Sequence, residues 1–596
     1  MDNQFEINFQ TEQNQQKRGR FEPDIDQLLE DIIRPYGLWQ WMVTLLLMLS
    51  STSIATFPVY ANAASPHRCR MEPYIELFIT QNNLSFSHVA SRIGPWKGIP
   101  TNRTWIESKH FGCFRYKSNW SADNSTAILD VNTSWKVVDL EVERCPLGFV
   151  HDRSSLHYPG TVVTEFATVC ERDWLVPTGT TLFLFGFALG LLTSGWIGDR
   201  LGRKKTVIVF SLLELLSGVW ATLSPNVVSY ILARAFMGIG NLGKANAANV
   251  LILELTTAKY RSMMSASFSL GTNFLFRSLL SLWAFCIPSW RWLHLTTLSP
   301  HLFTLFYVSF LPESPRWLAS QNRFVEALEV LKKGYVINHL RCPKTGLQTL
   351  GEIQKMITDN PSTAGSSCVE SRQSMQSSSA RQCLRGLLKS FSTPYLTKTT
   401  LCCIIVYAGT STSFFGLLYY ARILYGSIYL NGFLNSTTAF PAAVLTTLVY
   451  RYSRYRRRPL AGLIGLATII LTTGSLYTIV YRPLDDIVLT VCSNLALLLH
   501  TSMLGMYAVY IPELFPSEAR IQGVGVANGI GRLISMSSTF VNELDKVTAH
   551  GVPLLVYSVL LLISLVMLTL LPERSRECPA DLDKSRSSRE SGAEQT

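Results

Sequence analysis

Arg532, Arg277, His500 and the neighbouring Tyr419 and Tyr420 all fall inside long apolar stretches of the chain. An ionisable side chain at the centre of a bilayer costs about 3 kcal/mol on insertion scales, so residues placed there are candidates for function. Arg532 lies twelve residues past Arg520. At about 1.5 Å of rise per residue that is about 18 Å along a helix, near mid-bilayer. Its guanidinium is a planar fork that matches a carboxylate or sulfate and keeps its charge. The competing reading pairs Arg532 with a helix end or an internal acid. Arg277 at similar depth would reinforce an anion site if both arginines faced one cavity, whereas pairing with Glu214 or snorkelling would make it structural. His500 is a candidate for pH dependence near neutrality, against the alternative of a satisfied interior imidazole. Tyr419 and Tyr420 offer rings for stacking on flat organic ions or facing a cation. Packing and interface anchoring compete with that role.

These residues need a membrane scaffold to position them, and the composition supplies one. Of 596 residues, 47% are hydrophobic and 16% charged, against about a quarter charged in soluble domains. The charge deficit is concentrated in runs of about 18 to 25 residues, long enough to cross a bilayer core. Twelve such spans are expected, near 38–60, 176–197, 205–223, 227–250, 262–287, 291–311, 398–421, 427–449, 460–480, 485–509, 521–542 and 552–571. The first follows some 35 polar residues and is too long for a signal-peptide core, so it reads as a retained span. Two charged phrases recur between the halves. Glu254-Leu-Thr-Thr-Ala-Lys-Tyr-Arg261 is echoed 259 positions later by Glu513-Leu-Phe-Pro-Ser-Glu-Ala-Arg520, and Leu311-Pro312-Glu313 is echoed 260 positions later by Leu571-Pro572-Glu573. Two like-oriented halves with a substrate site between them are the plan of a rocking transporter.

Orientation follows from the short loops. Arg200, Arg203, Lys204 and Lys205 follow span 2, Lys259 and Arg261 follow span 4, and Arg451, Arg454, Arg456, Arg457 and Arg458 follow span 8. The positive-inside rule puts all of them, and both termini (1–37 and 572–596), in the cytoplasm. The net charge of +12 is therefore a topology signal, and its dispersal between spans argues against a nucleic-acid partner. The long loop at 61–175 is then extracellular. It holds Cys69, Cys113, Cys145 and Cys170, whose three possible disulfide pairings the sequence leaves open. Five glycosylation sequons, at Asn83, Asn102, Asn119, Asn124 and Asn132, lie on the same side. The central loop, 312–397, opens with an expected helix near 324–333 and runs into a Ser-rich tract at 362–379 that reads as a disordered connector. No nucleotide-binding loop, metal cluster or nucleophile with its base is recognisable. The sequence thus predicts neither an enzyme nor a cofactor.

Gly195-Trp-Ile-Gly-Asp-Arg-Leu-Gly-Arg-Lys-Lys205, between spans 2 and 3, resembles the signature loop of the major facilitator superfamily. Arg234-x3-Gly238-x-Gly240 and Pro312-Glu-Ser-Pro-Arg-Trp-Leu318 fit the same superfamily. Pro66-His-Arg-Cys69, Gly148-Phe-Val-His-Asp152 and Cys170-Glu-Arg-Asp-Trp-Leu175 narrow the resemblance to the organic cation, anion and zwitterion transporters of solute carrier family 22. Gly37-Leu-Trp-Gln40, Trp290-Arg-Trp-Leu293 and Pro512-Glu-Leu-Phe-Pro516 agree, so the likeness extends from about residue 24 to about 575. Two features depart from the pattern. Tyr450-Arg-Tyr-Ser-Arg-Tyr-Arg-Arg-Arg-Pro459 lacks the Asp and Gly of the first signature loop, and the external loop has four cysteines where many relatives have six.

The resemblance implies an all-α membrane protein of twelve helices in two six-helix halves, acting as a plasma-membrane carrier of small organic ions by alternating access. In that family the position of Arg532 carries Arg in anion and carnitine-type carriers and Asp in cation carriers, so the expected substrate is an anion or zwitterion. The expected substrate contacts are Arg532, Arg277, His500, Tyr419 and Tyr420. Asp199, Arg200, Arg203, Glu254 and Arg261 would form the cytoplasmic latch of the first half, with Glu513 and Arg520 in the second. Arg234 is expected to organise the helix bundle. Span 1 holds no acid and Glu214 reads as a lone acid without a relay, which favours uniport or exchange over proton symport. The alternatives are an organic cation transporter and a non-transporting receptor on the same fold. A sugar carrier would lack the cysteine-bearing loop, and Thr410-Ser-Thr-Ser-Phe414 in span 7 lacks a Gln-Gln-rich sugar signature.

Overall fold

The computed structural model describes residues 25–34, 36–51, 54–63, 66–94, 112–117, 120, 129, 141–152, 158–257, 259–339, 344–359, 391, 393–453, 455–483, 485–515 and 520–573. In hydrocarbon every backbone N–H and C=O must be satisfied within its own segment, which leaves helices as the spanning form for these apolar runs. Seven helices among the described residues are individually long and apolar enough to cross a bilayer: Cys170–Leu201, Arg203–Thr222, Pro394–Tyr420, Ile428–Val449, Arg457–Tyr481, Ile487–Leu514 and Val552–Thr569. These are spans 2, 3, 7, 8, 9, 10 and 12 of a twelve-helix, two-half bundle. The other five are irregular or charged. Span 4 (Val227–Glu254) is continuous but buries Arg234 and Lys244. Span 1 stops at Leu49, where the Ser50 and Ser51 hydroxyls donate back to the Leu47 carbonyl, and resumes at Pro58–Ala61. Span 5 passes through a π-helical stretch, Gly271–Leu275, between Arg261–Leu270 and Phe276–Cys286. Span 6 has a 3₁₀ stretch, Ser299–Phe306. Span 11 is divided into Arg520–Ser535 and Ser538–Val547.

Spans 2 and 4 touch backbone to backbone because glycines face each other. A Cβ on Gly186 would lie 2.2 Å from the Ala235 carbonyl oxygen, and one on Gly238 would lie 2.2 Å from that of Phe183. Small residues let helices approach this closely without a hydrophobic drive between them.

One end of the bundle carries a small disulfide-bonded domain. His67–Cys69 pairs antiparallel with Phe149–His151, and Phe114–Tyr116 with Val142–Arg144. Two short helices, Pro73–Gln81 and Phe86–Ile93, close a minor core around Met71, Ile75, Val89 and Ile93. So small a core needs staples, and it has them: Cys69–Cys145 and Cys113–Cys170. The second ties the domain to the head of span 2. Buried Arg68 grips Glu76 through both guanidinium nitrogens at 2.7 and 2.8 Å. Burial alone would raise the Glu76 pKa, but the Arg68 pairing and the Met71 N–H hold it below the usual carboxylate range. Asn83 is exposed just after the first of these helices. Asn102, Asn119, Asn124, Asn132 and the tract 362–379 lie outside the described residues.

At the opposite, basic end the expected helix of the central loop runs further, over Phe324–Asn338, and a second helix, Lys344–Asp359, follows. Asn338 donates to the Ile33 carbonyl at 2.7 Å and accepts from the Trp39 N–H at 2.8 Å, clamping Ile25–Ile33 beneath span 1. The apolar cores divide accordingly. At the basic end one core is built from the first half with Ile25–Ile33 and the central-loop helices; another, of the second half alone, runs from Leu396 and Phe515 at this end to Leu424 and Leu489 at the other. At the domain end a single core mixes Ile54, Phe57, Phe183 and Met237 of the first half with Phe415, Tyr419 and Ile428 of the second.

Candidate functional site

Toward the domain end, the seam between the halves is lined by buried cations without carboxylate partners among the described residues. Arg277 follows the π-helical stretch of span 5, an irregularity frequent at functional sites. It is 4% exposed, and its Nη2 donates to Asn435 Oδ1 of span 8 at 2.5 Å, across the seam. Its Nε has no partner. Beside it the Tyr60 hydroxyl of span 1 donates to Ser281 at 2.7 Å. Arg234 of span 4 is 1% exposed and lies 4.0 Å from the centroid of Phe183, a cation–π contact. Both of its terminal nitrogens lack partners. Tyr419 stacks on Phe415, and its buried hydroxyl is also without a partner, within Coulomb reach of Arg234, Arg277 and Arg422. An unpaired buried charge is costly, so such a cluster favours any ligand that brings an acceptor.

Not all of the expected contacts converge there. Arg532 is half-buried, 6.0 Å from the centroid of Tyr407 on span 7, with its Nε free of hydrogen bonds. No hydrogen bond or ion pair joins it to Arg277 or Tyr419 among the described residues. His500 is fully buried, with Nδ1 2.6 Å from the Ala496 carbonyl and Nε2 without a partner. Tyr420 turns away from the seam and donates to Asp545 at 2.8 Å.

The reading of Glu214 as a lone acid, or as the partner of Arg277, needs correction. Glu214 is wholly buried against Lys244 at 2.5 Å and His301 at 3.1 Å, and accepts from Asn241. Lys244 also donates to the Ser50 carbonyl at the break in span 1. Arg277 instead reaches Asn435. Lys244 was visible in the sequence as a charge ten residues past Arg234 in an apolar helix. Its pairing was not, because its partners lie on other spans.

Both ends carry charge networks. At the basic end Arg203 holds Asp199 at 2.8 Å and Glu254 at 3.0 Å, while the Arg203 and Lys204 N–H groups donate to Glu313. Arg200 instead stacks over Trp196 at 4.2 Å, and Arg261 has an unpartnered Nε. The second half repeats the plan more loosely: Arg456 is 3.8 Å from Glu513, and the Arg457 N–H donates to Glu573 at 2.8 Å. The side chain of Arg520 lies outside the described residues. These pairs stay within one half.

At the domain end the pairs cross the seam. Lys546 of span 11 meets Asp173, at the head of span 2, at 2.9 Å and Glu543 at 2.7 Å. Glu543 also pairs with Arg422, whose Nη1 donates to the Asn62 carbonyl of span 1 at 3.4 Å. Thr181 and Thr539 hydroxyls meet at 2.5 Å. Nearby, within the second half, His550 lies between Asp545 (2.7 Å) and Asp486 (3.0 Å). Burial alone would lower its pKa, but hydrogen bonds to Asp486 and Asp545 push it up to about 9.

A family model described as "Sugar (and other) transporter" matches residues 171–577. Solute carrier family 22 member 1 of Oryctolagus cuniculus is 28% identical, covering 92% of this chain and 93% of its own. Organic cation/carnitine transporter 2 of Homo sapiens is 27% identical over 90% of each. The partially occluded, inward-open xylose transporter XylE from E. coli superposes with a TM-score of 0.52 at 15% identity, over 90% of this chain and 98% of that one, a likeness of fold.

Proposed function

The chain belongs to the sugar (and other) transporter family, with solute carrier family 22 proteins as near full-length relatives, and from that premise we propose a plasma-membrane carrier selective for small organic anions or zwitterions. The observation that carries the charge preference is the buried pair Arg234 and Arg277 around the unpartnered Tyr419 hydroxyl, with no carboxylate bound to either arginine among the described residues. A planar carboxylate or sulfate entering between the halves satisfies these donors and repays their desolvation. Arg532, beside Tyr407, adds a further cation along span 7, about 18 Å from Tyr419 at about 1.5 Å of rise per residue. A permanently cationic substrate would meet like charge there.

The disulfide-bonded domain is read as extracellular and both termini as cytoplasmic, in keeping with Lys and Arg in the opposite loops. On that orientation the seam is sealed outside, and the ion pairs Arg203–Glu254 and Arg456–Glu513 each stay within one half inside.

The test is uptake by cells expressing the full chain, using labelled carboxylates, sulfate esters, zwitterions and quaternary amines, with surface biotinylation as control. Wild type should accumulate anions or zwitterions. Arg277→Gln should cut that flux at least about tenfold, the worth of one charge-assisted hydrogen bond, and Arg532→Asp should lower it in the same direction. Uptake confined to quaternary amines would overturn the anion preference, and binding without flux would favour a receptor.

A further inference from the structure

Arg422 occupies a place between the buried arginines and the seal. It lies in the turn just past span 7, three residues after Tyr419, and with Tyr419, Pro58, Thr180 and Thr539 it lines a small cavity on the seam. Its side chain is 10% exposed and paired with Glu543. Its Nε has no partner, and Tyr419 lies within its Coulomb reach. Unlike Arg234 and Arg277, it is already neutralised by an acid, and that acid has a second partner in Lys546 at 2.7 Å.

Asp173, Lys546, Glu543 and Arg422 therefore form a row of alternating charge that sums to zero and crosses between the halves. Were Arg422 to turn toward an arriving carboxylate, Glu543 would keep Lys546 and no charge would be stranded. The three remaining charges would then sum to minus one, with a single ammonium serving two carboxylates. That sharing weakens the Asp173–Lys546 contact, which holds span 2 against span 11.

We propose that Arg422 is a substrate-binding residue shared with the outer gate: the substrate's anionic group replaces Glu543 as its counter-ion, and the replacement loosens the gate. The idea rests on the anion preference argued above. It makes an occupied carrier open outward more readily than an empty one, the condition for exchange.

The experiment uses the full chain and the same labelled panel, with surface level measured for each variant. Glu543→Gln removes the internal competitor and should lower KM for the transported anion by about tenfold. Asp173→Asn loosens the gate without touching Arg422, and should change the maximal rate while KM stays within about twofold. Arg422→Lys keeps the charge but loses the fork, and should raise KM about tenfold; it carries the test if Glu543→Gln does not reach the surface. Anion flux with equal KM shifts in Glu543→Gln and Asp173→Asn, or with none in Glu543→Gln and Arg422→Lys, overturns this inference and leaves the anion preference standing. Flux of quaternary amines alone in wild type overturns both.

Discussion

His550 keeps its proton at neutral pH because two carboxylates face it. The titratable groups around it are Asp545, Asp486 and Tyr420, whose ring stacks 6.4 Å away and whose hydroxyl donates to Asp545. With a pKa pushed up to about 9 in the fold, against about 6.5 for a free imidazole, protonated His550 stabilises the folded state. That contribution is complete below about pH 6.5 and is lost as pH rises through about 9, a difference of roughly 3 kcal/mol. Purified protein should therefore melt at progressively lower temperature between about pH 7 and pH 10, and His550→Gln should remove most of that slope. An unchanged slope in the variant would show that the two aspartates hold the imidazole less tightly than their distances indicate. At this scale the sequence was only half readable. A lone Arg in an apolar run, such as Arg532 or Arg277, announces itself by its cost in hydrocarbon. The partner of a buried charge does not: Glu214 meets Lys244 and His301 only after three helices have packed together, and Arg277 finds Asn435 only across the seam.

The elements are where sequence reasoning went furthest, and where its blind spot has a simple cause. Hydropathy marks which segments are apolar, but not which carbonyl each N–H will choose. The π-helical stretch in span 5 and the 3₁₀ stretch in span 6 thus leave no mark in composition. The helix Lys344–Asp359 was missed for the opposite reason: it is polar overall, and among its described side chains Leu350 and Ile353, three residues apart, are buried in the core, with Leu347 packed against it. The Arg234-x3-Gly238 phrase fitted the superfamily without showing what Gly238 packs against, and the close approach found there supports a prediction about the pair of spans. A side chain at Gly238 must displace the backbone carbonyl of Phe183, and overpacking of this kind costs about 1–3 kcal/mol. Gly238→Val should separate spans 2 and 4, lower surface expression and reduce transport together, while Gly195→Ala, facing open space, should do neither. Normal surface level and flux in Gly238→Val would mean that the two helices have slack to part.

For the whole molecule the telling asymmetry is which contacts cross the seam. At the domain end the apolar core, the Asp173–Lys546 pair and the Thr181–Thr539 contact all join the two halves. At the basic end, the apolar cores and the ion pairs of Arg203 and Arg456 each stay within a half. Halves joined in this way at one end, and held by ion pairs of their own at the other, can exchange those roles by rocking, and every transport cycle then has to part Thr181 from Thr539. Cysteines at both positions should be close enough for a mild oxidant to link them, since their hydroxyl oxygens are 2.5 Å apart. Oxidised Thr181→Cys/Thr539→Cys protein should stop transporting, and a reductant should restore flux to its level before oxidation. Each single variant should be indifferent to oxidant, which controls for Cys286, Cys402, Cys403 and Cys492, the cysteines outside the two disulfides among the described residues. If the bond forms, as a mobility shift on gels would report, and flux continues, then spans 2 and 11 do not separate at this end and the rocking cycle is wrong. If flux stops only in the double variant, the seal between Thr181 and Thr539 is a door that the carrier must open on every turn.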